Sequence, residues 1–250
     1  METKRDWLIF AGIVVSSIIV GLVVEALQFK TLTDALAASW SGGDYGGAFS
    51  AFTDQIGEFG TLQWVEFVGF LTGIVSVYFA TRENVWVWPV GIVWTLTTMW
   101  VMFQIKLYGE VGLMGVYFVL MVHGWWSWKR VGEEHKELQV RWTSRAVLIA
   151  VVAFVVVGTI VAKPILETFR DSAPLADAFT TAGSLGAQFL LNRKYIENWI
   201  AWLIVDIIYV PLMISRGIYA FAVLYAVFLV LAVIGLVQWI KSYRQEASSV

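Results

Sequence analysis

The chain has 250 residues, of which 59% are hydrophobic, 16% aromatic and only 14% charged, and its net charge is −2. A soluble domain carries roughly 25% charged residues, so a surface this poor in charge has to meet lipid rather than water. The near-neutral balance excludes a basic field for nucleic acid. The lack of cysteine excludes disulfides, thiolate chemistry and Cys-held metal, and His123 and His135 stand in no HExxH arrangement.

In chain order, Lys4 and Arg5 precede an uncharged run over 7–24. That run is longer than the roughly 7–15 residues of a signal-peptide core, so it reads as an uncleaved span. Residues 26–61 hold Asp34, Asp44, Asp54 and Glu58 around a glycine-rich patch, Ser41 to Gly47, and read as an acidic loop outside the membrane. Further apolar runs follow at 62–81, 86–105, 110–128, 145–162, 176–191, 196–213 and 218–240. Each approaches the roughly 20 residues of a transmembrane helix, which predicts about eight crossings. Residues 129–144 are polar, with Lys129, Arg130, Glu133, Glu134, Lys136 and Arg141. Threaded with the N-terminus inside, twelve of the 17 Lys and Arg fall on the inner side. The positive-inside rule then places both termini in the cytoplasm.

The sequence matches itself at an offset of 108. Thr72 falls on Thr180, Ser76 on Ser184, Asn84 on Asn192, Trp94 on Trp202, Gly109 on Gly217 and Tyr117 on Tyr225. This predicts two three-helix units, about 62–130 and 176–243, with the helix 145–162 between them. An odd linker gives both units the same orientation, and transporters built on such repeats place the solute between the halves.

Within the span 196–213, Tyr195, Asn198, Trp202, Asp206 and Tyr209 recur every three or four residues and share one helix face. An acid inside a membrane is costly and is expected to face the bundle interior. Asp206 could bind a cationic solute, hydrogen-bond a neighbouring helix, or stand as a neutral acid. The matching face of the first unit is Gly91, Trp94, Thr98 and Val101, with Thr98 in place of Asp206. Trp94, Trp100 and Trp202 lie deep in their spans, where an indole N–H needs a partner or a cavity and where a flat cation would stack well. Trp7, Trp64, Trp86, Trp88, Trp125, Trp126, Trp128, Trp199 and Trp239 lie near span ends, and most read as an interfacial belt. Gln104 and Gln188 could bridge helices or touch solute, and Tyr117 and Tyr225 are paired by the repeat. Gly109 and Gly217 read as turn glycines, and Pro211 as a kink or stop. No Walker loop, acidic relay or Arg-rich sensor helix is present, which leaves passive movement of a small solute as the simplest reading.

Several stretches resemble the PnuC family of bacterial vitamin transporters. They are Trp64-Val65-Glu66, the run Phe103-Gln104-Ile105-Lys106-Leu107-Tyr108, Gly124-Trp125-Trp126-Ser127-Trp128, and Arg193-Lys194-Tyr195-Ile196-Glu197-Asn198-Trp199 with Trp202, Gly217-Ile218-Tyr219 and Tyr225. The resemblance covers about 62–243. It implies an all-α integral membrane fold of 3+1+3 helices, a SWEET-like parallel repeat, to which this chain adds an N-terminal transmembrane helix. The division is then 1–61 (helix and acidic loop), 62–130 (first bundle), 131–175 (cytoplasmic loop and linker helix) and 176–250 (second bundle and tail).

The resemblance further implies a permease, not an enzyme, in the bacterial inner membrane. It would be a homotrimer in contact with lipid that takes up nicotinamide riboside by facilitated diffusion. A cytoplasmic riboside kinase would trap the solute, and no cofactor or metal is called for. The substrate-binding set on this reading is Trp94, Thr98, Gln104, Tyr117, Gln188, Asn198, Trp199, Trp202, Asp206, Tyr209 and Tyr225. Thiamine is the alternative solute of the same family, because both are aromatic cations. A membrane receptor or enzyme is the distant alternative, disfavoured because His123 has no spaced catalytic partner.

Overall fold

The computed structural model describes residues 65, 67–104, 108–133, 138–169, 172–217 and 219–248. The expected span 7–24 and the acidic loop lie outside these residues. Seven helices are described: α1 (Phe67–Thr81), α2 (Val87–Gln104), α3 (Tyr108–Glu133), α4 (Arg145–Thr168), α5 (Pro174–Asn192), α6 (Glu197–Ser215) and α7 (Tyr219–Ser248). Each coincides with one of the apolar runs from 62 to 240. Four stretches, Val111–Lys129, Arg145–Thr168, Glu197–Ser215 and Phe221–Glu246, are long and apolar enough to cross a bilayer. Helix α4 runs past its apolar core for another turn, where Lys163 and Glu167 pair at i,i+4, 2.6 Å apart. Helix α6 continues through Pro211 to Ser215. Gly217, at φ +73°, makes the turn into α7, whereas Gly109 falls inside the first turn of α3.

Helix α2 packs on α3, α6 on α7, and α5 on α3, α4 and α6. Ile74 of α1 is buried against Leu224, Phe228 and Leu231 of α7. Helix α4 lies at the outside, with Ile149, Val152, Val157 and Ile160 all more than half exposed. Such an apolar outer face suits acyl chains.

The α1–α2 and α5–α6 turns close with the same hydrogen bonds. In the first, the N–H groups of Arg82, Glu83 and Asn84 donate to the carbonyls of Phe79, Ala80 and Phe79; in the second, those of Arg193, Lys194 and Tyr195 donate to Leu190, Leu191 and Leu190. Glu83 and Lys194 both sit at φ 54°, and their side chains meet as an ion pair at 3.1 Å. After each turn a tryptophan is buried edge-on against another: Trp88 on Trp128 at 5.1 Å and Trp199 on Trp239 at 5.4 Å between ring centroids. Gly124 and Gly235 make room for them. A Cβ at Gly124 would stand 2.2 Å from the Trp88 ring, and one at Gly235 would stand 2.5 Å from the Trp199 ring.

These counterparts, Trp88 and Trp199 for example, are 111 positions apart, not the 108 of the sequence match. Three residues is close to one helical turn, so both registers bring nearly the same face forward.

The indoles cross between the two groups of helices. Trp128 Nε1 donates to the Asn192 carbonyl at 3.2 Å and Trp239 Nε1 to the Ala80 carbonyl at 3.0 Å. Those oxygens lie in the last turns of α5 and α1, where carbonyls lack intrahelical partners. Trp88, Trp128, Trp199 and Trp239 are therefore core residues, and the belt expected of span-end tryptophans is left to exposed rings such as Trp86, Trp125 and Trp126.

The segment before α4 docks on the second turn. Arg141 pairs in parallel with Tyr195, its guanidinium lies 5.1 Å from the Tyr195 ring, and both carboxylate oxygens of Glu197 accept from the Thr143 N–H at 3.0 Å. Ser144 then caps α4.

Gly235→Ala is expected to cost about 1–3 kcal/mol by overpacking Trp199. Gly112→Ala, at a position with open space around it, is expected to be harmless. Thermal unfolding of the two variants in detergent compares them directly.

Candidate functional site

A cavity of about 130 Å³ opens between α1–α3 on one side and α5–α7 on the other, and α4 contributes nothing to its lining. Of the substrate-binding set read from sequence, nine side chains line it: Trp94, Thr98, Tyr117, Gln188, Trp199, Trp202, Asp206, Tyr209 and Tyr225. Two do not. Gln104 is exposed at the end of α2, and Asn198 is buried in the first turn of α6, where its amide donates back to the Tyr195 carbonyl at 2.7 Å. Trp100 is also off the cavity, 37% exposed on the outer side of α2.

Helix spacing explains which side chains converge. On α2, Trp94, Thr98 and Met102 follow at i, i+4 and i+8; on α6, Trp202, Asp206 and Tyr209 follow at i, i+4 and i+7. Trp94 stands edge-on to Tyr117 at 6.4 Å between centroids. Tyr209 and Tyr225 are stacked, with centroids 4.4 Å apart and planes 7° apart. Both line the cavity and pack against the cluster of Leu212, Met213 and Ala222. Trp199, Ala80, Val87 and Ala232 line it as well and belong to the tryptophan-rich core.

The two walls differ in chemistry. The α2–α3 wall carries three methionines, Met102, Met114 and Met121, whereas the α5–α6 wall carries Ser184, Gln188 and Asp206. Sequence reading missed the methionines. Continuing the face from Tyr117 by three and four residues reaches Met114 and Met121, so the helical period was the signal available. The polar groups are tied to the frame: Ser76 Oγ donates to the Val87 carbonyl at 2.9 Å, and Gln188 Nε2 donates to Asn192 Oδ1 at 2.9 Å. Asn192 in turn donates to the Leu120 carbonyl of α3 at 3.0 Å. Asp206 is 1% exposed, and its Oδ1 accepts no hydrogen bond among the described residues. No group of three or more His, Cys, Asp or Glu able to hold a metal occurs among the described residues.

Residues 63–241 match the model of the nicotinamide mononucleotide transporter family. The chain belongs to this family. It is 27% identical to the nicotinamide riboside transporter PnuC of Escherichia coli, over 75% of this chain and 89% of that one. It is 28% identical to the riboflavin/roseoflavin transporter RibM of Streptomyces davaonensis, again over 75% and 89%. The crystal structure of the vitamin B3 transporter PnuC superposes with a TM-score of 0.61 at 23% identity, covering 88% of this chain and 92% of that one, which shows a shared fold. Family membership and the four apolar helices make this a multi-pass membrane transporter.

Asn192→Ala is expected to leave the Gln188 amide without its acceptor, to remove the extra bond to the Leu120 carbonyl, and to lower stability by about 1–3 kcal/mol. A drop in melting temperature in detergent, absent for Val119→Ala on the exposed side of α3, checks this.

Proposed function

We propose that the chain takes up nicotinamide riboside by facilitated diffusion through the cavity between α1–α3 and α5–α7. The observation that carries this is the convergence of Trp94, Trp202 and Asp206, one acid among aromatic rings, on a single cavity in a member of this transporter family. The pyridinium of nicotinamide riboside is flat and cationic and suits such a lining. The nine lining side chains named above are the proposed contacts.

The reading extends to the frame. The paired turns and paired tryptophans at a spacing of 111 support a parallel 3+1+3, SWEET-like repeat, with α4 as the linker. The further crossing over 7–24, cytoplasmic termini, an inner-membrane location, a homotrimer and trapping of the solute by a cytoplasmic riboside kinase complete the proposal. A second reading, uptake of riboflavin, is favoured by the likeness to RibM. Thiamine, another aromatic cation, stands beside nicotinamide riboside.

Full-length protein in proteoliposomes, offered labelled nicotinamide riboside, thiamine and riboflavin in parallel, separates these readings. Nicotinamide riboside is expected to equilibrate without an ion gradient. Trp202→Ala is expected to slow its entry at least about tenfold, equivalent to ~1.4 kcal/mol, while Val119→Ala stays near the native rate. Movement of riboflavin alone favours the second reading, and no movement of any solute overturns the permease assignment.

A further inference from the structure

Among the described residues, the cavity wall contains one carboxylic acid, Asp206, and no Lys, Arg or His. No described side chain of the wall therefore balances a carboxylate there. Two polar groups of the wall direct their protons elsewhere: Ser76 to the Val87 carbonyl and Gln188 to Asn192. Asp206 sits within an apolar helix long enough to cross the bilayer, is almost fully buried, and leaves Oδ1 without a hydrogen bond among the described residues. A buried acid with no partner is destabilising unless something that visits the site completes it.

The neighbours of Asp206 define what that visitor resembles. Trp202 and Tyr209 lie one turn to either side on the same face of α6, and both line the cavity with it. A group placed beside the carboxylate thus meets aromatic rings, which attract a delocalised cation. The wall of Met102, Met114 and Met121 offers polarizable, adaptable surface to a flat ring and, among the described residues, carries no competing charge.

We propose that Asp206 is the charge-selecting residue of this cavity: it admits flat aromatic solutes that carry a permanent positive charge and discriminates against uncharged rings of nearly the same outline. The inference rests on the cavity being the solute pathway and adds the rule by which solutes are chosen. Charge is one difference between the solutes in the names of the two relatives, because nicotinamide riboside is a pyridinium cation and riboflavin is neutral.

The test compares nicotinamide riboside with its uncharged dihydro form, which keeps the ribose and carboxamide. Both are measured in competition on the full-length protein in proteoliposomes. The native protein is expected to favour the cation at least about tenfold, and Asp206→Asn, close to isosteric, is expected to bring the two within about threefold of each other. Asp206→Glu is expected to keep the preference for the cation. Equal use of both forms by the native protein overturns the proposal, and so does an unchanged preference in Asp206→Asn. The native comparison can overturn the proposal even if the Asn variant fails to assemble. Transport without charge preference removes the role of Asp206 and leaves the permease standing, whereas a native protein that moves no ring solute at all removes the permease itself.

Discussion

Two indole N–H groups, each aimed at the carbonyl end of a helix in the opposite group, set the arrangement on which the other features rely. Carbonyls in the last turn of a helix lack intrahelical partners and take donors from elsewhere. Trp128 supplies one to α5 and Trp239 supplies one to α1. These reciprocal bonds hold the ends of α1 and α5 near one another, bring Glu83 to Lys194, and place Lys194 Nζ 4.8 Å from the Trp128 ring. Trp199 of the same cluster also lines the cavity, so the shape of that cavity depends on how the two groups of helices are joined.

A second tie meets the first at Asn192. Gln188, Asn192 and the Leu120 carbonyl form a chain from α5 to α3, within the contact between those two helices. Hydrogen bonds of this kind join helices where the hydrophobic effect cannot, because lipid is as apolar as the helix faces themselves. The polar positions of α5 are thus partly structural, and Asp206 stands apart from them as the wall acid with an uncommitted oxygen.

Much of this could be read from the residues. Runs of apolar side chains located all seven described helices, because a helix in lipid hides its backbone polarity within itself and shows only its composition. The face shared by Trp202, Asp206 and Tyr209 followed from the helical period alone. Other features depend on tertiary proximity. Whether Trp128 or Trp239 sits at a lipid headgroup or on a distant carbonyl is invisible along the chain, since an indole at a span end suits either. Gln104 and Asn198 looked like Gln188 in sequence, yet one ends on the outer surface and the other serves a turn. The paired turns and tryptophans stand 111 apart, with Trp88 matching Trp199, Gly124 matching Gly235 and Trp128 matching Trp239, and these few matches compete with those at 108, which keep almost the same helix faces.

The two notches at Gly124 and Gly235 have an evolutionary consequence. Each is filled by one particular indole, Trp88 or Trp199, so size at one position is traded against size at the other. Across an alignment of relatives, glycine should be retained wherever the facing ring is large and relaxed only where that ring shrinks. The two positions of each pair should therefore co-vary, and do so independently of whichever vitamin a given member carries.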